Sequence, residues 1–215
     1  MLCTLACCFA TSALAATAFY SNDFEDTTDP LSEWSASSAD TTPGTKDHPA
    51  DRFLGQFYQT SARLTLADLP SHTCIEIAFD LYVIQSWDGN GAPDRWKLSV
   101  EGGPTLLDTT FNNTGDYPQA YPDNYPTGSW PAMTGATELN SLGYYFNGIP
   151  MDSVYHLSYQ WPHSGDSLIL VFEGLPQPDV DEFWGLDNVV ITPEPATLSL
   201  LAVGIGGLML RRRRR

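Results

Sequence analysis

The sequence predicts an all-β fold, a single antiparallel β-sandwich, and three observations lead there. Between Phe19 and Thr192 no long stretch places apolar residues at helical spacing. Short runs alternate apolar and polar residues instead, with Gly, Pro, Asn and Asp between them, the period-two pattern of strands and turns. In Cys74 to Gln85 the odd positions Ile75, Ile77, Phe79, Leu81 and Val83 are all apolar, while Glu76, Asp80 and Tyr82 stand at even positions. One face of that strand is therefore fit for burial, and two sheets with such faces bury them against each other.

The elements follow in chain order. Met1 to about Ala18 has no charged side chain and runs through Leu, Ala, Cys and Phe to small residues, the composition of a secretory signal peptide. Ala13-Leu14-Ala15 and Ala16-Thr17-Ala18 suit cleavage equally. Removal of Cys3, Cys7 and Cys8 leaves Cys74 alone, so the mature chain forms no internal disulfide and Cys74 reads as a small buried hydrophobe. The sandwich domain spans 19–192, with strands expected at Arg63 to Leu69, Cys74 to Gln85, Arg95 to Glu101, Leu106 to Phe111, Val154 to Trp161, Ser167 to Glu173 and Gly185 to Thr192. Asp108 to Gly148 reads as one long loop, because Tyr117-Pro118, Tyr121-Pro122, Tyr125-Pro126 and Trp130-Pro131 block regular pairing. A loop of that length is functional or packed on itself.

Residues 193–215 form the last segment. Ala196 to Leu210 is an uncharged apolar run of 15 residues, and Arg211, Arg212, Arg213, Arg214 and Arg215 follow at once. As a helix the run reaches about 22 Å against a hydrocarbon thickness of roughly 30 Å. It predicts a short transmembrane helix whose arginines snorkel on the inner side, with the body outside.

Charge removes one class of partner. The chain has 26 acidic residues against 10 Lys and Arg, a net charge of −16. The C-terminal arginines are five of those ten, so the body holds 5 basic and 25 acidic residues. Binding a phosphate backbone needs a basic surface, so nucleic acid is excluded.

Catalytic patterns are absent from the sequence. His48, His72, His156 and His163 are scattered without metal-ligand spacing, and there is no Gly-x-Ser-x-Gly elbow or phosphate-binding glycine motif. Among 25 acidic residues some pair always matches a glycosidase by chance, so the expectation is a protein that is not an enzyme. Asp88-Gly89-Asn90-Gly91-Ala92-Pro93-Asp94 has oxygen side chains at its first, third and seventh positions. It lacks the EF-hand acceptors where Ala92 and Ser99 stand, and it reads as a hairpin loop that caps its own turn. Sugar sites stack Trp and Tyr faces on pyranose rings and add polar hydrogen bonds. Tyr117, Tyr121, Tyr125 and Trp130 on the long loop, with Trp87 beside Asp88, Asn90 and Arg95, supply both ingredients. The alternative is that these aromatics belong to the core.

Two resemblances add to this reading. Thr192-Pro193-Glu194-Pro195-Ala196-Thr197-Leu198, the apolar run and the terminal arginines resemble the PEP-CTERM sorting signal of Gram-negative bacteria over Pro193 to Arg215. That resemblance implies export by the general secretory route, at least transient retention in the membrane, recognition by an exosortase, and delivery to the envelope or extracellular matrix. Asn22-Asp23-Phe24-Glu25 with Trp34, and Trp184-Gly185-Leu186-Asp187-Asn188-Val189-Val190-Ile191, resemble the first and last strands of jelly-roll domains such as carbohydrate-binding modules and MAM-type domains. This second resemblance implies adjacent terminal strands and a structural Ca²⁺ held by Asp23, Glu25, Asp187 and Asn188. Without a metal the same residues are a solvated acidic rim and a turn. The function expected is that of an exported, non-enzymatic protein binding exopolysaccharide or another glycan. A structural matrix or adhesion protein, and a glycan-cleaving enzyme on a similar fold, are the alternatives.

Overall fold

The computed structural model describes residues 17–36, 38–175 and 181–193. The signal segment up to residue 16, Glu194, Pro195, the apolar run and the arginine cluster lie outside the described residues.

Among the described residues every regular element is a strand. They are β1 (Tyr20–Asn22), β2 (Ala39–Thr41), β3 (Arg52–Phe57), β4 (Ser61–Leu66), β5 (Cys74–Gln85), β6 (Arg95–Val100), β7 (Thr105–Thr110), β8 (Glu138–Leu139), β9 (Tyr145–Phe146), β10 (Ile149–Pro150), β11 (Asp152–Pro162), β12 (Leu168–Leu175) and β13 (Glu182–Pro193). Among the same residues no helix is long and apolar enough to cross a membrane.

The larger sheet runs β2-β3-β13-β5-β11-β8, with β1 also on β13, and the smaller runs β4-β12-β6-β7. β9 and β10 form a separate hairpin. All pairings are antiparallel, and β1 meets β13 at Tyr20–Ile191, Ser21–Val190 and Asn22–Val189, so the terminal strands are neighbours as expected.

Alternation explains which face of each strand is buried. Ile75, Ile77, Phe79, Leu81 and Val83 of β5 enter the core between the sheets, where Phe79 meets Trp96 at 5.9 Å and Phe172 at 5.6 Å between ring centroids. Trp96 meets Trp184 edge-on at 6.0 Å. Each ring of this size removes more apolar area from water than an aliphatic side chain does.

Three expectations change. The first strand is Tyr20–Asn22, and the chain then turns at Phe24 with φ of 54° rather than extending through Glu25. Cys74 is half-buried, because it opens β5 at the end of the sandwich, and its thiol donates to the Trp161 carbonyl at 3.1 Å. Tyr82 and Ile84, at even positions of β5, are also buried, in a second apolar cluster with Phe53, Leu142 and Val154. That cluster lies on the outer face of the larger sheet and positions the site described next.

Candidate functional site

A roof of two chain segments covers part of the outer face of the larger sheet. The first leads from β2 to β3 and the second from β8 to β9. They are tied together where Gly44 N–H donates to the Leu142 carbonyl at 2.8 Å. A side chain at Gly143 would collide with the Gly44 carbonyl, so the two segments meet backbone to backbone there. The buried Asp152 carboxylate fixes the second segment by accepting from the Leu142 and Tyr144 N–H groups, each at 3.0 Å. Burial raises the Asp152 pKa, opposed by these bonds.

Beyond the roof β13 is interrupted. Its edge pairs with β3 through Leu186 and with β1 from Val189. Against β5 the register slips by one residue between Asp187 and Val190. Asn188 takes up that slip with φ of 50°, a left-handed conformation Asn tolerates better than most residues. Such a bulge re-aims side chains. Asn188 Nδ2 donates to Asp80 Oδ2 at 2.9 Å and to Asp187 Oδ2 at 3.1 Å.

Roof and bulge together enclose a half-open pocket of about 240 Å³. Its apolar side is made by Pro49, Leu142, Val154 and the Tyr82 ring, and its polar side by Thr42, His48, Asp51, Asp80, Glu138, Ser141 and Asn188. At the base the Tyr82 hydroxyl lies 2.8 Å from Asp51 Oδ2 and 2.9 Å from Asp187 Oδ2. A phenol has one hydrogen to donate, so a second proton is needed to join the three groups. Burial accordingly pushes Asp187 up to about 7, with the Asp51 carboxylate beside it acting in the same direction. Burial and both acids hold the Tyr82 phenol far above its ordinary range. At the rim His156 Nδ1 donates to Asp80 Oδ1 at 2.8 Å, and His48 Nδ1 lies 3.6 Å from Glu138 Oε2. The pocket thus offers hydrogen-bond acceptors on one side and apolar surface on the other, the two surfaces a polyhydroxylated ring presents.

The eight residues read from the sequence as sugar-binding fall in one neighbourhood, where the long loop folds onto the β5–β6 connection. Asn90 N–H donates to the Pro118 carbonyl at 2.8 Å. Asn90 Nδ2 donates to Gly128 O at 2.9 Å, and its Oδ1 accepts from Thr110 Oγ1 at 2.6 Å, so both ends of the amide hold the loop. Trp87 is fully buried with its indole N–H on the Phe183 carbonyl, which leaves no ring face for a sugar. Asp88 N–H donates to Asp94 Oδ2 at 2.7 Å. Arg95 donates twice to Asp108 Oδ1, at 3.0 and 2.8 Å, and sits over the Tyr125 ring at 5.5 Å. Tyr121 packs on Phe111 and Tyr155. Tyr117 and Trp130 keep broad exposure, 52% and 41%. Tyr117 lies against Gly91, where any Cβ would strike its ring, and Trp130 Nε1 donates to Asp123 Oδ2 at 2.9 Å.

The four residues implied for Ca²⁺ are divided by their partners. Asp23 is exposed and accepts from Glu25 N–H at 3.3 Å, while Glu25 Oε1 accepts from Arg52 N–H at 2.8 Å. Asn188 lines the pocket, and Asp187 lies behind it on the Tyr82 hydroxyl. Among the described residues no three His, Cys, Asp or Glu side chains gather where they could hold a metal ion.

Sequence reasoning missed Asp51, Tyr82, Asp80, Glu138, His48 and Ser141. The one local signal was Tyr82, a large ring on the expected solvent face of β5 flanked by Asp80 and Ile84.

Residues 192–215 match the PEP-CTERM protein-sorting motif, which marks an exported, extracytoplasmic protein. No curated protein sequence matches the chain. Among solved structures the chain is similar to the CBM22-1 xylan-binding domain of Paenibacillus barcinonensis Xyn10C, with 16% identity and a TM-score of 0.39 over 85% of this chain and 97% of that one. It is also similar to the carbohydrate-binding module CBM6cm-2 of Cellvibrio mixtus lichenase 5A in complex with cellotriose, with 14% identity and a TM-score of 0.37 over 82% of this chain and 98% of that one.

Proposed function

We propose that this is a non-enzymatic glycan-binding protein of the cell envelope or exopolysaccharide matrix, delivered there through exosortase recognition of Pro193, Glu194 and Pro195. It takes one sugar unit in the outer-face pocket. The observation that carries the reading is the pocket itself, half-open, with acceptors from Asp51, Asp80 and Glu138 facing apolar surface from Leu142 and Val154. Asp51 and Asp187 do not act as a paired acid and base on a glycosidic bond, because the Tyr82 hydroxyl fills the space between them where that bond would have to sit.

A glycan array with the 19–193 domain tests this reading. Selective binding is expected, weakened at least tenfold, about 1.4 kcal/mol, by Asp80→Ala with little change in melting temperature. No glycan bound, or equal binding by Asp80→Ala, overturns it. Loss of binding in Trp130→Ala alone moves the site to the long loop.

Anchoring gives a separate expected result. Deleting Arg211 to Arg215 shifts the protein from the membrane to the soluble fraction, because a short apolar span is held poorly without its charged end. Unchanged membrane retention removes the arginines from that role.

A further inference from the structure

The charge and hydrogen-bond inventory of the pocket narrows what it takes. Asp51, Asp80 and Glu138 line it with no Lys or Arg among them, and Asp187 lies directly behind Tyr82. The two histidines at the rim are each set against one of those acids, His48 on Glu138 and His156 on Asp80. Hydrogens are in short supply, since one phenolic O–H serves two carboxylates. Ser141, another wall residue, is only 5% exposed, and its Oγ has no hydrogen-bond partner. Among the described residues it is one of six buried side-chain polar atoms without a partner and the one that belongs to the pocket wall, so a ligand seated there is the group placed to satisfy it.

We infer that the pocket is specific for a cationic sugar unit, an amino sugar carrying a free ammonium group, over neutral or acidic sugars. This rests on the reading of the pocket as a glycan site. An ammonium brings three donors and no acceptor, which matches a wall of carboxylates and an unpartnered hydroxyl. Its bonds to ionised acids are charge-assisted, stronger than those of a neutral hydroxyl. A uronate or sulfated sugar meets the opposite situation, since like charges across a binding surface repel and the body holds 25 acidic against 5 basic residues. The volume of about 240 Å³ admits one ring rather than a stretch of chain, so discrimination is made at a single unit.

The test is calorimetric titration of the 19–193 domain at about pH 5.5, where the weakly basic amine of a glucosamine unit is charged and carboxyls of ordinary acidity are ionised. The ligands are glucosamine oligomers, their fully N-acetylated counterparts of equal length, and galacturonic acid oligomers. Glucosamine oligomers are expected to bind at least tenfold more tightly than the acetylated ones and to weaken as salt rises, with no binding of galacturonate. Asp80→Asn with Glu138→Gln is expected to erase the preference, bringing glucosamine oligomers down at least tenfold to the affinity the same variant shows for the acetylated ones. Glu33→Gln with Asp68→Asn removes the same charge from exposed positions flanking β4, on the other sheet, and is expected to keep the preference. Equal loss in both double variants overturns the inference by assigning the effect to overall charge. Neutral oligomers bound equally or better overturn it while the proposed function stands. Failure of all three ligands overturns the inference, and the glycan array then decides separately whether the proposed function falls with it.

Discussion

Trp184→Ala is expected to lower the melting temperature of the domain by about 10 °C. The side chain is fully buried near the start of β13, its ring 4.8 Å from Phe57 and 6.0 Å from Trp96, and its indole N–H donates to the Tyr58 carbonyl at 3.0 Å. Replacing a core aromatic by Ala costs about 3–5 kcal/mol through lost transfer energy and the cavity left behind. In a domain of this size each kcal/mol is worth roughly 2–4 °C. Gly174 offers an internal check. A Cβ there would stand 2.1 Å from Trp184 Nε1, so Gly174→Ala destabilises the parent protein but is relieved in the Trp184→Ala background. Thermal unfolding followed by near-UV circular dichroism should show that non-additivity. A loss under about 3 °C, or plain additivity, contradicts the packing described.

Raising the pH from about 6 to 9 is expected to lower the melting temperature by roughly 5–10 °C. Two buried carboxyls carry this effect. Asp187 is pushed up to about 7 from 3.8, and Glu182 up to about 8 from 4.5 by burial, with Asp94 and Asp181 adding to it. A carboxyl with a raised folded-state pKa keeps a proton that the unfolded chain has released. Its contribution is therefore fully present below the ordinary carboxyl range and is lost as pH climbs through the raised value. At about 1.4 kcal/mol per pKa unit, the two groups lose on the order of 3 kcal/mol across this window. His163 works the other way, its pKa lowered by burial and by His72, so it weakens the fold only on acidification below about 6.5. Asp187→Asn with Glu182→Gln is expected to flatten the profile above pH 6. A parent melting curve indifferent to pH over this range would falsify the assignment of protons to these two acids.

How much was legible follows from which contacts are local. β5 was read to the residue, Cys74 to Gln85, because one of its faces meets an unbroken core and the alternation records it. β3 was missed. Phe53 and Leu54 are consecutive and both fully buried, Leu54 in the core and Phe53 under the roof, so burial on both faces erased the alternation. β2 and β8 are edge strands of three and two residues, too short for any periodicity. The proline-bearing stretch carries no named strand from Phe111 to Thr137, but β8 and β9 fall inside the loop expected from Asp108 to Gly148, and no composition rule told that Trp87 is swallowed by the core while Trp130 stays out. Asp187 and Asn188 were singled out through resemblance, but their partners come from elsewhere. Tyr82 is 105 residues from Asp187 and 31 from Asp51, and no local pattern links such positions. The pocket exists only once a bulge and two roof segments meet.

The placement of β13 bears on how this protein carries force. The chain passes from Pro193, the last residue of β13, straight into the sorting segment, and β13 lies inside its sheet with β5 along one edge and β3 and β1 along the other. Ladder bonds run perpendicular to their strands. A tension drawn through the tail against a glycan gripped on the outer face therefore pulls β13 lengthwise between neighbours on both sides, and its bonds resist in shear, many at once. A strand at the sheet margin would peel off bond by bond under the same pull. Under the proposed function, a load applied between the tail and a bound glycan would therefore meet the domain in its resistant direction, and rupture is expected first at the sugar or in the tail.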